Sequence, residues 1–451
     1  MLKLSTIGNA TLIAYEDKPI LATDPWISDE DPAYYGSWIG TNKIPKNFKE
    51  DIYNSKYLWF SHGHPDHINP DSILRFKGKK ILLPDHYGSR IYKDLLNLKY
   101  DVEILKDKKW YNLSKNIRIQ CVTNWIQDSI LILEINKRLF INLNDAGIKF
   151  YSSYIRKLTK NYKNSYTLSL SGYGDSDMIN FYSEDGKKIT RSNDNKIEVG
   201  KQLSDMSDVL GTNNIIPFSS FHQYQRSDSV WAQDETVPEE DYAKGLDKKY
   251  SVIKPFVTIN CKNGEVENIN PEKLNIKIKK PEDFGDNWSD QLEKNDIHKI
   301  NDYFLTKKKL NNTLGFIRFK VGGNEHVIDF KNKLKKGITF EVPRNSLMET
   351  VNYKIFDDLF IGNFMKTTLH NMNSLYDNHF NYIITKWSDN GGINTDEEFE
   401  LYKSHYKAKA GQSFLYYNFL DQSKNLFLRF VSKNINSKIY KLSRKFYNLI
   451  R

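Results

Sequence analysis

Apolar residues along this 451-residue chain gather into short runs, and several of those runs stop at a residue with chemistry to offer. Residues 4–15 read as the two strands of a hairpin, and residues 19–23 as a further strand that ends at Asp24 and Pro25. Tyr57, Leu58, Trp59 and Phe60 form an apolar, aromatic run expected to be a buried strand, followed at once by Ser61-His62-Gly63-His64-Pro65-Asp66-His67. Residues 138–143 repeat the theme and lead to Asp145, and residues 215–218 lead to His222. Strand and helix patterns alternate to about residue 250, which predicts a layered α/β unit over 1–250. Residues 225–249 are polar and predict a loop leading to a helix.

A second pattern follows. A turn at 284–290 opens onto a helix through Phe304, strands are expected at 314–321 and 337–342, and Gly322-Gly323 is placed as a hairpin turn. A helical stretch is expected over 352–369, making 251–395 a smaller α+β accessory domain. In the remaining 396–451, Phe427, Val431, Ile435, Ile439, Leu442, Phe446 and Leu449 recur three or four apart, one face of a helix.

The cluster at 62–67 changes the picture most. It places three of the chain's ten histidines and one aspartate where a strand ends and the chain turns. A tight turn can aim such side chains at one or two ions, and imidazole with carboxylate suits Zn²⁺, Fe²⁺ or Mn²⁺. Asp24 at its own strand end can either orient a ligating histidine or cap the turn made by Pro25. His298, His326, His370 and His379 stand alone and carry no ligand spacing.

The His-x-His-x-Asp-His order after an apolar strand resembles the metallo-β-lactamase fold family. That resemblance implies an αββα sandwich, metal ligation by His62, His64, Asp66 and His67, a bridging Asp145 and a last ligand at His222. Asp66 and Asp145 are then the expected catalytic carboxylates. The family's dinuclear hydrolases carry one more histidine between the motif and the bridging aspartate. Here that position falls near Asn124, while His86 comes too early. An asparagine carbonyl is a poor ligand for a transition metal, which predicts a weaker His62/His64 position and a stronger one at Asp66, His67, Asp145 and His222. Two histidines with carboxylates resemble the set used by non-heme iron oxygenases.

A narrower resemblance rests on Asp24-Pro25-Trp26-Ile27, Gly36-Ser37-Trp38-Ile39, residues 59–67, Ile216-Pro217-Phe218-Ser219 and Asp357-Asp358-Leu359-Phe360-Ile361-Gly362. These segments look like the metal domain of CMP-N-acetylneuraminate hydroxylases. The resemblance implies an iron- and dioxygen-dependent monooxygenase acting on an amino or acyl sugar, nucleotide-linked, in cell-surface glycan synthesis. Such enzymes also carry a Rieske cluster, which needs paired Cys/His motifs. Neither Cys121 nor Cys261 has a histidine within three residues, so no Fe–S cluster is expected in this chain and electrons would come from a separate donor. Without a donor, hydrolysis of a phosphoester, lactone or amide by a metal-bound hydroxide is the competing reading, with Zn or Mn in place of Fe and one or two ions held. A metal-stabilised binding protein is the third.

Composition narrows the setting. Two cysteines give no disulfide framework, and no run of eighteen apolar residues occurs, so a cytoplasmic protein is expected. The net charge of +10 resides in residues 403–451, where eleven Lys or Arg face only Asp421. The rest is balanced, which argues against nucleic acid as a partner. Residues 424–451, basic and amphipathic, can either dock on the accessory domain or rest on an anionic membrane surface at the inner face.

Overall fold

The structure, a computed structural model, describes residues 1–170, 179–189, 198–250, 252–375 and 379–414. Two sheets pack face to face. The first has eight strands in the order Val266–Asn268, Val257–Asn260, Leu2–Ile7, Thr11–Glu16, Lys18–Thr23, Tyr57–Trp59, Lys80–Pro84 and Asp101–Leu105. Its first five strands pair antiparallel, and from Lys18–Thr23 onward the pairing is parallel. The second has six, in the order Asn214–Pro217, Asn164–Ser169, Arg138–Asn144, Ser129–Ile135, Ile117–Thr123 and Trp110–Asn112.

Alternation along the strands builds the layers. Leu12, Leu21 and Trp59 of the first sheet meet Ile119, Cys121, Leu131 and Phe140 of the second in the inner core. The outward residues are buried too: Ala22, Leu58 and Ile81 lie under Phe48 and Ile52 of the helix Lys46–Asn54. Val122, Ile130 and Ile141 lie under Ile155 of the helix Ser152–Thr159. Burial on both faces explains why these strands read as continuous apolar runs. The result is an αββα sandwich.

A third sheet of five strands, ordered Phe181–Ser183, Lys366–His370, Gly337–Glu341, Phe316–Val321 and Asn324–Asp329, forms an added α+β unit with the helices Lys294–Leu305, Arg344–Tyr353 and Phe356–Ile361. The units interleave in sequence. Val257–Asn260 and Val266–Asn268 lie beyond residue 250 but complete the first sheet, and Phe181–Ser183 lies before it but pairs in the third. Gly322 and Gly323, at φ 57° and 78°, make the expected hairpin turn. The expected helix over 352–369 does not continue. It stops after Phe356–Ile361, Asn363 adopts a left-handed φ of 58°, and Lys366–His370 is a strand between Phe181–Ser183 and Gly337–Glu341. Between 225 and 249 only short 3₁₀ turns form, at Val230–Glu235 and Glu239–Asp241. Asp396–Ala410 is a helix capped by Thr395 and Glu398, and the amphipathic segment 424–451 lies outside the described residues.

Candidate metal centre

The strand Tyr57–Trp59 delivers residues 61–67 to one end of the sandwich, where the loop closes on itself as His67 N–H donates to the His64 carbonyl (3.0 Å). His62 and His67 are buried, and their rings lie 4.2 Å apart between centroids. His62 Nε2 and His64 Nδ1 face each other at 2.9 Å. Asp145 follows the strand Arg138–Asn144, where Asn144 turns the chain at φ 53°. Its Oδ2 lies 3.7 Å from His62 Nε2 and 3.3 Å from His67 Nε2, between the two imidazoles. Asp66 Oδ2 lies 3.3 Å from the same His67 nitrogen.

Two donor sets therefore meet at Asp145. Donor atoms of His62, His64 and Asp145 all lie within 4.8 Å of one another, enough to hold one metal ion. His67 Nε2 lies 3.3 Å from both Asp66 Oδ2 and Asp145 Oδ2, and His222 stands at the start of the strand His222–Tyr224. The His222 ring is stacked flat on Trp38 (interplanar angle 6°). Neither nitrogen of buried His222 has a hydrogen-bond partner among the described residues, and the same holds for His67 Nε2. Buried polar atoms left unpaired in this way are costly, and ligation by a cation would satisfy them. The residues present fit a metal.

The electrostatics agree. Burial pushes His62 well below the usual imidazole range, and His67 and His64 add to the push. Burial also lowers His222, to about 3, against the pull of Asp66 and Asp145. Burial would lower His67 as well, but the Asp66 and Asp145 carboxylates outweigh it and hold that imidazole well above its ordinary value. Asp66 is lowered in turn, because the His67 charge overcomes its desolvation.

Neighbouring groups hold the donors in place. Asp24 is wholly buried, accepts a hydrogen bond from Ser61 N–H at 2.7 Å and lies 3.4 Å from His67 Nδ1. Its carboxylate thus orients His67 and leaves Nε2 for ligation. Tyr34 O–H donates to Asp66 Oδ1 at 2.5 Å, and Asn9 Nδ2 donates to Asp66 Oδ2 at 3.0 Å. His64 Nε2 lies 3.0 Å from Asp357 Oδ2, a carboxylate supplied by the added unit.

Asn124 engages its side-chain oxygen within its own loop. Its Oδ1 accepts from Ile126 and Asp128 N–H (3.1 and 3.0 Å) and closes the loop on itself. The buried Asp128 of that loop senses His64, Asp145, Asp357 and Lys386, and burial raises its carboxyl to about 6. Among the described residues, His62, His64 and Asp145 are the donors whose atoms all lie within 4.8 Å of one another. Sequence reasoning missed Asn9, Tyr34, Asp128 and Lys386, and found Asp357 only through its segment's resemblance. A small cleft lined by Gly63, His64, Asp357, Asp358, Thr385 and Asn390, with about 20 Å³ of room, opens beside His64.

No protein-family model matches the chain. It is 28% identical over 102 residues to a protein of Mycolicibacterium smegmatis (strain ATCC 700084 / mc(2)155) that bears the name Rieske 2Fe-2S iron-sulfur protein, covering 22% of this chain and 18% of that one. It is 20% identical over 132 residues to the inactive cytidine monophosphate-N-acetylneuraminic acid hydroxylase of Homo sapiens, covering 27% and 26%. The match thus spans only about a fifth to a quarter of the curated relatives' length. Among solved structures, an isothiocyanate hydrolase from Delia radicum gut bacteria aligns at 15% identity and a TM-score of 0.36, over 59% of this chain and 99% of that one. CmlA, a diiron β-hydroxylase from Streptomyces venezuelae, aligns at 12% identity and a TM-score of 0.33, over 48% and 44%.

Proposed function

We propose that this protein is a non-heme iron monooxygenase that hydroxylates an amino or acyl sugar, nucleotide-linked, in cell-surface glycan synthesis. The observation that carries the reading is the composition of the centre: four histidines and two aspartates, divided around Asp145, with His62, His64 and Asp145 forming a two-histidine, one-carboxylate set. Such sets leave coordination positions open and suit iron. The partial likeness to a CMP-N-acetylneuraminic acid hydroxylase supports the choice of substrate class.

His62, His64, Asp66, His67, Asp145 and His222 would hold one or two ions. Iron held there supplies the redox chemistry of dioxygen. The chain's own residues do the rest. Asp24 and Asp357 fix the ring orientations of His67 and His64, and Tyr34 and Asn9 fix Asp66. His62, His67 and Asp66 are buried, while His64 and Asp145 keep partial access from solvent. The overall reaction inserts one oxygen atom into a C–H bond and reduces the other to water. It consumes two protons and two electrons, the latter from a separate donor protein.

The test is turnover of iron-loaded protein with a ferredoxin–reductase pair, CMP-N-acetylneuraminate or a UDP-N-acetylhexosamine, and isotopically labelled dioxygen. Donor-dependent product carrying one labelled oxygen atom supports the reading. Label from water alone, in a cleaved product formed without donor, would instead identify a metal-dependent hydrolase.

A further inference from the structure

We propose that the added α+β unit completes the metal centre from outside: Asp357, backed by Lys386, is a positioning residue that fixes His64 for ligation and so sets the occupancy of the His62/His64 position. The inference rests on the metal-centre reading above and deepens it.

An ionised carboxylate only accepts hydrogen bonds, so Asp357 Oδ2, 3.0 Å from His64 Nε2, requires the His64 proton on Nε2. That tautomer leaves Nδ1 without a proton, and Nδ1 is the nitrogen that faces His62 Nε2 at 2.9 Å. With the opposite tautomer, an N–H would point into the space where a cation must sit. Lys386 Nζ donates to the same Oδ2 at 3.0 Å and pairs its charge with the buried carboxylate.

The surroundings hold Asp357 rigidly. It lies in the first turn of the helix Phe356–Ile361, and the Phe356 N–H donates to Asp389 Oδ2 at 3.1 Å. Asp389 is itself held by the Tyr303 hydroxyl, at 2.9 and 2.7 Å to its two oxygens. Lys386 and Asp389 both belong to Tyr382–Asn390, a π-helical segment, a rare form found often at functional sites. On the sandwich side, Arg90 donates to the Tyr353, Lys354 and Asp389 carbonyls and fastens the units together next to this cluster. One chain of contacts therefore runs from Tyr303 through Asp389, Phe356 and Asp357 to His64, a residue 293 positions away from Asp357 in sequence. A simple interface ion pair would not need its acceptor aimed at the one ring nitrogen whose protonation decides ligation.

Loss of such a partner to a ligating histidine typically costs about 10–100-fold in metal affinity. The experiment is a cobalt(II) titration of the full chain as wild type, Asp357→Ala and Asp357→Asn. Nitrogen chemical shifts of the His64 imidazole are read alongside in the metal-free proteins. We expect two ions in the wild type. In Asp357→Ala, one ion should bind as before and the other about 10–100-fold more weakly, with His64 shifting from the Nε2–H form to a mixture. Asp357→Asn retains a carbonyl acceptor and should lose less, so it also carries the test if the alanine variant does not fold. Two ions bound at wild-type affinity by both variants, with an unchanged His64 tautomer, would overturn the inference and leave the metal centre standing. A wild-type chain that takes up no cobalt would overturn the metal centre and this inference with it.

Discussion

Replacing Arg226 with methionine should loosen the joint between the sandwich and the added unit. Arg226 follows the strand His222–Tyr224 and is wholly buried. Its guanidinium lies 2.7 Å from Asp286 Oδ2, donates to Asp228 at 2.8 and 3.1 Å and to the Tyr35 carbonyl at 3.0 Å, and sits 4.0 Å over the Phe364 ring. Asp286, equally buried, accepts from Ser346 N–H (2.9 Å) and the Ser346 hydroxyl at the start of the helix Arg344–Tyr353. Methionine keeps the apolar stem and removes the charge, leaving Asp286 without its cation. Breaking a buried pair from one side costs about 3–5 kcal/mol, because the surviving charge is uncompensated. Adding Asp286→Asn removes that charge while keeping acceptors for Ser346, and should recover about 1–3 kcal/mol as the coupling between neighbours. Urea unfolding followed by tryptophan fluorescence reads both variants. Trp288 donates to Asp228 at 2.8 Å and lies close to the change. A loss under about 1 kcal/mol in the single variant, or a double variant that simply adds two losses, would refute the reasoning.

Two further outcomes follow from the same contacts. Asp145→Ala removes the carboxylate between His62 and His67 and should abolish turnover and weaken both metal positions, whereas Asn124→Ala only frees a loop closure and should leave metal stoichiometry intact. Equal losses in metal content would show that Asp145 does not join the two donor sets. Gly36→Ala should destabilise the protein by more than about 1 kcal/mol in thermal or urea unfolding, since Gly36 sits at φ 87° and a Cβ there would lie 2.3 Å from the Phe284 ring. An unchanged midpoint would mean that the loop bearing Tyr34 is looser than these contacts indicate.

What was legible in the sequence was local. Residues 62–67 announce a candidate site because one turn holds all four side chains, and Asp145 stands out because it follows a strand, whereas His222, expected at a strand's end, opens the strand His222–Tyr224. The inner and outer faces of the sandwich are both apolar, so its strands stand out as runs. Tyr34, Asn9 and Lys386 reach the site only through tertiary packing, and nothing near them in the chain marks that role. The loop closure made by Asn124 Oδ1 likewise follows from backbone geometry that spacing does not show. The helix expected through 369 failed because Gly362 and the left-handed Asn363 end it, and the third sheet then captures Lys366–His370 on both edges. Pairing between strands so far apart leaves no periodic signature to read.

Elemental analysis of protein purified without added metal, read together with dioxygen uptake in the presence of an electron donor, tests the central claim most directly. The account predicts iron, at up to two ions per chain, with donor-dependent dioxygen consumption, and loss of both in Asp145→Ala. Two tightly held zinc ions with hydrolytic turnover and no dioxygen uptake would contradict it.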